Sequence, residues 1–129
     1  MTKGRPVVAV VDDDPRLLES LEDLLESAGY AARSFSSARS LLVSGLSGLD
    51  VLITDIGMPG MDGFELCDLV KKVRPDLPVF LITGRHEIAD ADRAQGVSGC
   101  FRKPFDAKVM LAAIGNVLGK SKNGDEHEG

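Results

Sequence analysis

Tryptophan is absent from this 129-residue chain, tyrosine occurs once, and aromatic residues make up only 5% of it. A site that sandwiches a flat cofactor ring between aromatic side chains has little to be built from. Cysteine is nearly as scarce. Cys67 and Cys100 form no Cys-x-x-Cys pair and have no neighbouring histidine, which argues against a disulfide framework or a zinc site and leaves two small buried thiols as the expectation. Cations are outnumbered, 15 Lys and Arg against 20 Asp and Glu for a net charge of −5. That is the wrong sign for a surface that coats a phosphate backbone, so direct nucleic-acid binding by this segment is not expected. No apolar run approaches the ~20 residues that span a bilayer, and the run over residues 6–11 stops at three aspartates. No signal peptide or membrane segment is read, and a cytoplasmic location is expected.

What is present fits one soluble α/β domain: 43% hydrophobic and 27% charged residues are ordinary globular usage, and the length suits a single core. Residues 7–11, 51–54 and 78–83 are short apolar runs without polar alternation, as strands buried on both faces require. Weaker strands are expected at 30–35 and 99–103. Between them lie helical signals. Asp14-Pro15 offers an N-cap and a proline at the first helical position, and Leu17, Leu18, Leu21, Leu24 and Leu25 recur on one face as far as Gly29. Ser36-Ser37 can cap a short helix through Val43. A turn-rich stretch, 57–63, precedes a helix carrying Phe64, Leu66, Leu69, Val70 and Val73. A short helix is expected at 88–95 and an amphipathic one at 106–118. Residues 120–129 are polar and carry no helical stripe, so the domain is placed at 1–119 with a tail or the start of a linker beyond it.

Strict strand–helix alternation implies a doubly wound parallel sheet with helices on both faces, whose ligands bind beyond the carboxyl ends of the strands. Polar residues placed just after buried strands must then converge on one rim. They are Asp12, Asp13 and Asp14 after the first strand, Asp55 after the third, Thr83 ending the fourth and Lys103 ending the fifth. Taken singly, each has a bland reading: an Asp after a strand caps a helix, a Thr at a strand end reflects β-propensity, and a Lys is a solvated charge. Their joint placement favours a site. Clustered carboxylates repel unless a cation or a shifted pKa offsets them. An all-oxygen set suits Mg²⁺, with Mn²⁺ able to substitute. A phosphoryl group could approach such a site, with Asp55 as nucleophile, Lys103 as a point charge and Thr83 as a hydroxyl donor.

The motifs Val11-Asp12-Asp13, Asp55 followed by Met58-Pro59-Gly60-Met61-Asp62-Gly63, Ile82-Thr83-Gly84 and Lys103-Pro104-Phe105 together resemble the receiver domain of two-component response regulators. The likeness spans about residues 6–119. It implies a five-stranded flavodoxin-like sheet of order 2-1-3-4-5, with Asp55 as phosphoacceptor and Asp12, Asp13, Asp55 and the Gly57 carbonyl as Mg²⁺ ligands. Thr83 and Lys103 would contact the acyl phosphate, Phe101 would be the aromatic switch residue, and the Lys103-Pro104 bond would be cis. The implied partners are a sensor histidine kinase or phosphotransfer protein as donor and an unidentified output domain or protein. A homodimer formed on phosphorylation would use the fourth helix, fifth strand and last helix. The chain would then be a signalling switch that catalyses its own phosphorylation and dephosphorylation, rather than an enzyme on a separate substrate, and fits the N-terminal receiver of a longer transcriptional regulator. Asp14 stands where many members carry Glu or a neutral residue, and its expected role is to cap the first helix. The segment from Thr83 to Lys103 is about two residues shorter than is common, which leaves the form of the fourth helix open.

Three other readings compete with this one. The Asp-x-Asp after the first strand is similar to that of haloacid-dehalogenase phosphatases, with Asp12 as nucleophile, but Arg16 stands where they want Thr or Val and Asp55 would have no role. A flavodoxin-type electron carrier would not place three aspartates in the phosphate-cradling loop. A degenerate receiver that only binds partners would have lost an acidic residue or the lysine, and all are intact.

Overall fold

The computed structural model describes residues 4–84 and 97–127. Five parallel strands, β1 (Val7–Val11), β2 (Ala31–Phe35), β3 (Val51–Asp55), β4 (Val79–Thr83) and β5 (Gly99–Arg102), lie in the order β2-β1-β3-β4-β5. The described helices are α1 (Pro15–Ser27), α2 (Ala38–Ser44), α3 (Gly63–Val73) and α4 (Ala107–His127). The expected doubly wound sheet is present. Every residue of β3 and β4 is buried, whereas the edge strands β2 and β5 are only partly covered. This is why the central strands read as unbroken apolar runs and the edges as weak ones.

Alternate residues of each strand feed two cores. Ala9, Val11, Leu52 and Leu81 pack on one face with Leu41 of α2 and Phe64, Leu66 and Val70 of α3. Val8, Val10, Ile53, Phe80 and Ile82 pack on the other with Leu18, Leu21 and Leu25 of α1 and Met110 and Ile114 of α4. The helix starts are fixed by side chains. Asp14 accepts from the Arg16 amide at 3.0 Å with Pro15 in the first turn of α1, and Ser37 accepts from the Ser40 amide at 3.1 Å. Asp62 and Glu65 form a reciprocal capping box at α3, each accepting the other's backbone N–H at 2.9–3.0 Å. That box was not read from the sequence, although its Asp-x-x-Glu signal stands at 62–65.

Two expectations need correction. The last helix does not stop at 118: α4 continues through His127, so residues 120–127 are helical. A helix needs no apolar stripe to propagate once started, and no proline interrupts this stretch. The second correction concerns the thiols. Cys67 is buried, but Cys100 is exposed, because β5 is an edge strand whose alternate residues face outward. The helix expected at 88–95 lies outside the described residues, and with it part of the expected dimer face.

Candidate functional site

The carboxyl ends of β1, β3 and β4 and the residue after β5 bring the predicted residues to one rim. Asp12 follows β1, Asp55 and Thr83 close β3 and β4, and Lys103 follows β5. The backbone locks the rim together: the Asp12 amide donates to the Phe35 carbonyl, Ile56 to Ile82, and Lys103 to Thr83, at 2.9–3.1 Å. Asp12, Asp13 and Asp55 each offer a carboxylate oxygen, all within 4.8 Å of one another. The Lys103 ammonium reaches over them, 3.3 Å from Asp55 Oδ1 and 3.4 Å from Asp12 Oδ2.

Among the described residues, two of these three carboxylates share the Lys103 ammonium. Burial pushes the Asp12 carboxyl up from its ordinary value, against the lowering effect of the Asp14 amide, and the neighbouring Asp55 charge adds to the rise. Burial likewise raises Asp55, although the Lys103 charge pulls it down. Lys103 is itself raised: burial opposes its charge, but the two carboxylates together outweigh burial. The ion pairs therefore compensate only part of the cost of taking these carboxylates out of water.

Asp12 Oδ2 is fully buried and accepts no hydrogen bond, its contact with Lys103 being an ion pair at 3.4 Å without hydrogen-bond alignment. A buried carboxylate oxygen without a hydrogen bond, facing two further carboxylates, fits a hard divalent cation. The set contains no histidine or thiol, so oxygen-preferring Mg²⁺ or Mn²⁺ suits it better than zinc.

The remaining candidates divide. Thr83 is fully buried at the rim, and its hydroxyl donates to the Gly84 carbonyl at 2.8 Å. Gly57 is exposed in the loop after β3, and its amide acts to lower the Asp55 carboxyl against the effect of burial. The Lys103-Pro104 bond is cis. Asp14 caps α1, as expected.

Phe101 does not fit the switch role. It pairs in register with Ile82 and packs against Phe80 at 5.4 Å between ring centroids, on the α1 and α4 face. Thr83 is the next residue of β4, so its side chain leaves the opposite face. The β5 residues on the Thr83 face are Cys100 and Arg102, the latter its register partner.

Gly63, in the turn-rich stretch and first in α3, has a packing role as well. A Cβ there would sit 2.7 Å from the Ile56 Cα and closer still to the Asp55 carbonyl oxygen, so α3 abuts the backbone that carries Asp55.

A family model describing the response regulator receiver domain matches residues 8–115. The chain belongs to the response regulator receiver family. Among curated relatives it is 41% identical over 110 residues to the C4-dicarboxylate transport transcriptional regulatory protein DctD of Rhizobium meliloti, covering 82% of this chain and 24% of that protein. It is 38% identical over 112 residues to the heme response regulator HssR of Staphylococcus haemolyticus, covering 84% and 50%. The receiver therefore spans a quarter to a half of the length of these relatives. Among solved structures, a response regulator receiver domain protein from Clostridium thermocellum superposes with a TM-score of 0.84 at 29% identity, covering 91% of this receiver and 97% of that chain. Full-length FixJ from B. japonicum gives 0.82 at 27% identity, covering 96% and 63%. Among the described residues, no helix is long and apolar enough to cross a membrane.

Proposed function

We propose that this receiver is a cytoplasmic phosphorylation switch that takes a phosphoryl group onto Asp55 from the phosphohistidine of a sensor histidine kinase or phosphotransfer protein. The observation that carries the reading is the placement of the Lys103 ammonium 3.3 Å from Asp55 beside two further carboxylates. A carboxylate oxygen of Asp55 attacks phosphorus, the bond to the donor nitrogen breaks, and an acyl phosphate forms. Asp12, Asp13, Asp55 and the Gly57 carbonyl would hold Mg²⁺, or Mn²⁺ in its place, and the bound ion supplies charge neutralisation to the phosphoryl oxygens. Lys103 then exchanges a carboxylate partner for a phosphoryl oxygen, keeping its charge paired. The Thr83 hydroxyl can turn from the Gly84 carbonyl to donate to another phosphoryl oxygen. Attack of water on phosphorus returns inorganic phosphate and the free carboxylate. Since Lys103 follows β5 and Thr83 ends β4, the added charge acts on the rim that joins these strands. The output is a partner domain or protein, and the transcriptional regulators among the relatives support a place at the head of a longer regulator.

The test is intact-protein mass spectrometry after incubation with acetyl phosphate, with Mg²⁺ or with EDTA. One phosphoryl increment that needs Mg²⁺ and disappears in Asp55→Asn is the expected result. Stoichiometric labelling of Asp55→Asn would overturn the assignment of the acceptor.

A further inference from the structure

Asp12 is fully buried, and its carboxylate is held at Oδ1 by the Asp14 amide, which donates to it at 2.8 Å, and at Oδ2 by the Lys103 ion pair. Residue 14 is held in turn from its other side. Its own carboxylate accepts from the Arg16 amide at 3.0 Å, and its carbonyl accepts from the Leu18 amide at 3.1 Å. Pro15 has no N–H, so the amides of 14 and 16 are the donors of this tripeptide, and each is taken by the aspartate two residues earlier. The proline also biases residue 14 toward extended backbone, which it adopts at φ −95° and ψ 109°.

We propose that Asp14 is a positioning residue for the cation site: by capping α1 it fixes the amide that aims the Asp12 carboxylate. This rests on the metal site of the proposed function and extends it to a residue outside the ligand set. The Asp14 carboxylate is turned to the helix rather than to the cluster of Asp12, Asp13 and Asp55. Its effect therefore passes through geometry. Without an acceptor at 14 the first turn of α1 loosens, the Oδ1 hydrogen bond loses its fixed direction, and Oδ2 swings away from the oxygens of Asp13 and Asp55. Outer partners of metal ligands commonly matter at the level of 10–100-fold in affinity.

The experiment is a calorimetric Mg²⁺ titration of the full chain in four forms: wild type, Asp14→Ala, Asp14→Asn and Ser37→Ala. Asp14→Ala is expected to bind Mg²⁺ about tenfold more weakly. Asp14→Asn, a neutral residue that caps as well as Asp, restores affinity to within about threefold of wild type. Ser37→Ala removes the equivalent cap from α2 and lowers the melting temperature without changing Mg²⁺ affinity, which separates lost stability from lost aim. Wild-type affinity in Asp14→Ala overturns the proposal and leaves the metal site standing. Affinity in Asp14→Asn as weak as in Asp14→Ala overturns it in favour of the Asp14 charge. Absence of Mg²⁺ binding by wild type overturns the metal site and this inference together.

Discussion

The same substitution, Gly to Ala, should act with opposite sign at two helical positions of this receiver. At Gly63, the first residue of α3, the new methyl would lie 2.7 Å from the Ile56 Cα and against the Asp55 carbonyl. The Gly63 amide donates to the Ile56 carbonyl at 2.9 Å, so the helix start cannot slide away without breaking that bond. Both obstructing groups are backbone of a fully buried strand and its exit, and no rotamer change relieves them. Overpacking of a dense interior costs about 1–3 kcal/mol, and the absence of a flexible neighbour places this case at the upper end. For a domain of this size about 3 kcal/mol corresponds to a melting temperature lower by roughly 10 °C. At Gly115, inside α4, the added Cβ meets only the Tyr30 hydroxyl oxygen at 3.8 Å, an ordinary contact. There the gain in helix propensity, about 0.5–1 kcal/mol, should raise the melting temperature by roughly 2–4 °C. Differential scanning calorimetry of the two variants under one buffer decides the matter. A Gly63→Ala variant as stable as wild type would refute the close approach of α3 to β3. Because the backbone it displaces carries Asp55, the same variant should also lose acetyl-phosphate labelling under conditions where it remains folded.

Burial holds the Asp12 and Asp55 carboxyls above the ordinary carboxylate range, so the native state binds their protons more tightly than the unfolded chain. Their contribution to stability is thus lost as pH rises from the unfolded carboxylate range through the raised folded values. In EDTA, Asp55→Asn should melt above wild type at neutral pH, with the gain shrinking as pH falls through the raised folded value to the ordinary carboxylate range; a variant less stable at pH 7 would contradict this. Adding Mg²⁺ to a hundred times its dissociation constant should stabilise wild type by about 2.7 kcal/mol, an increment that chelation removes and that Asp55→Asn largely lacks. Asp62→Ala breaks the α3 capping box and should cost about 1 kcal/mol, seen as a shift in urea midpoint with unchanged slope. Thiol titration of the native chain should find one fast-reacting group, Cys100, with Cys67 reacting only on denaturation; a fast phase that survives Cys100→Ser would reject the assigned exposures.

What could be read from residues alone follows from where the information is local. Val7–Val11, Val51–Asp55 and Val79–Thr83 are covered on both faces, so burial writes itself into each strand as an apolar run, and alternation with helices then dictates a parallel sheet. From that sheet the convergence of Asp12, Asp55, Thr83 and Lys103 is a geometric consequence, since every strand delivers its carboxyl end to the same rim. Side-chain facing on the edge strand is not local. In β5 the burial pattern alternates weakly, and neither Cys100 nor Phe101 announces which face it takes. The register Ile82 with Phe101 is settled by β4, whose own parity is fixed by Phe80 and Ile82 against α1 and α4. Gly63 was illegible for a related reason: a glycine in a turn and a glycine under a strand look alike until the partner backbone is placed. The same holds for the amide of Asp14, which meets Asp12 Oδ1 two residues away only because the turn into α1 fixes its direction. Convergence on the rim is thus encoded by strand order, while the aim of each carboxylate within it is encoded by the turns that leave the strands. A receiver can therefore keep every reactive residue and still lose its cation affinity through a change at a cap.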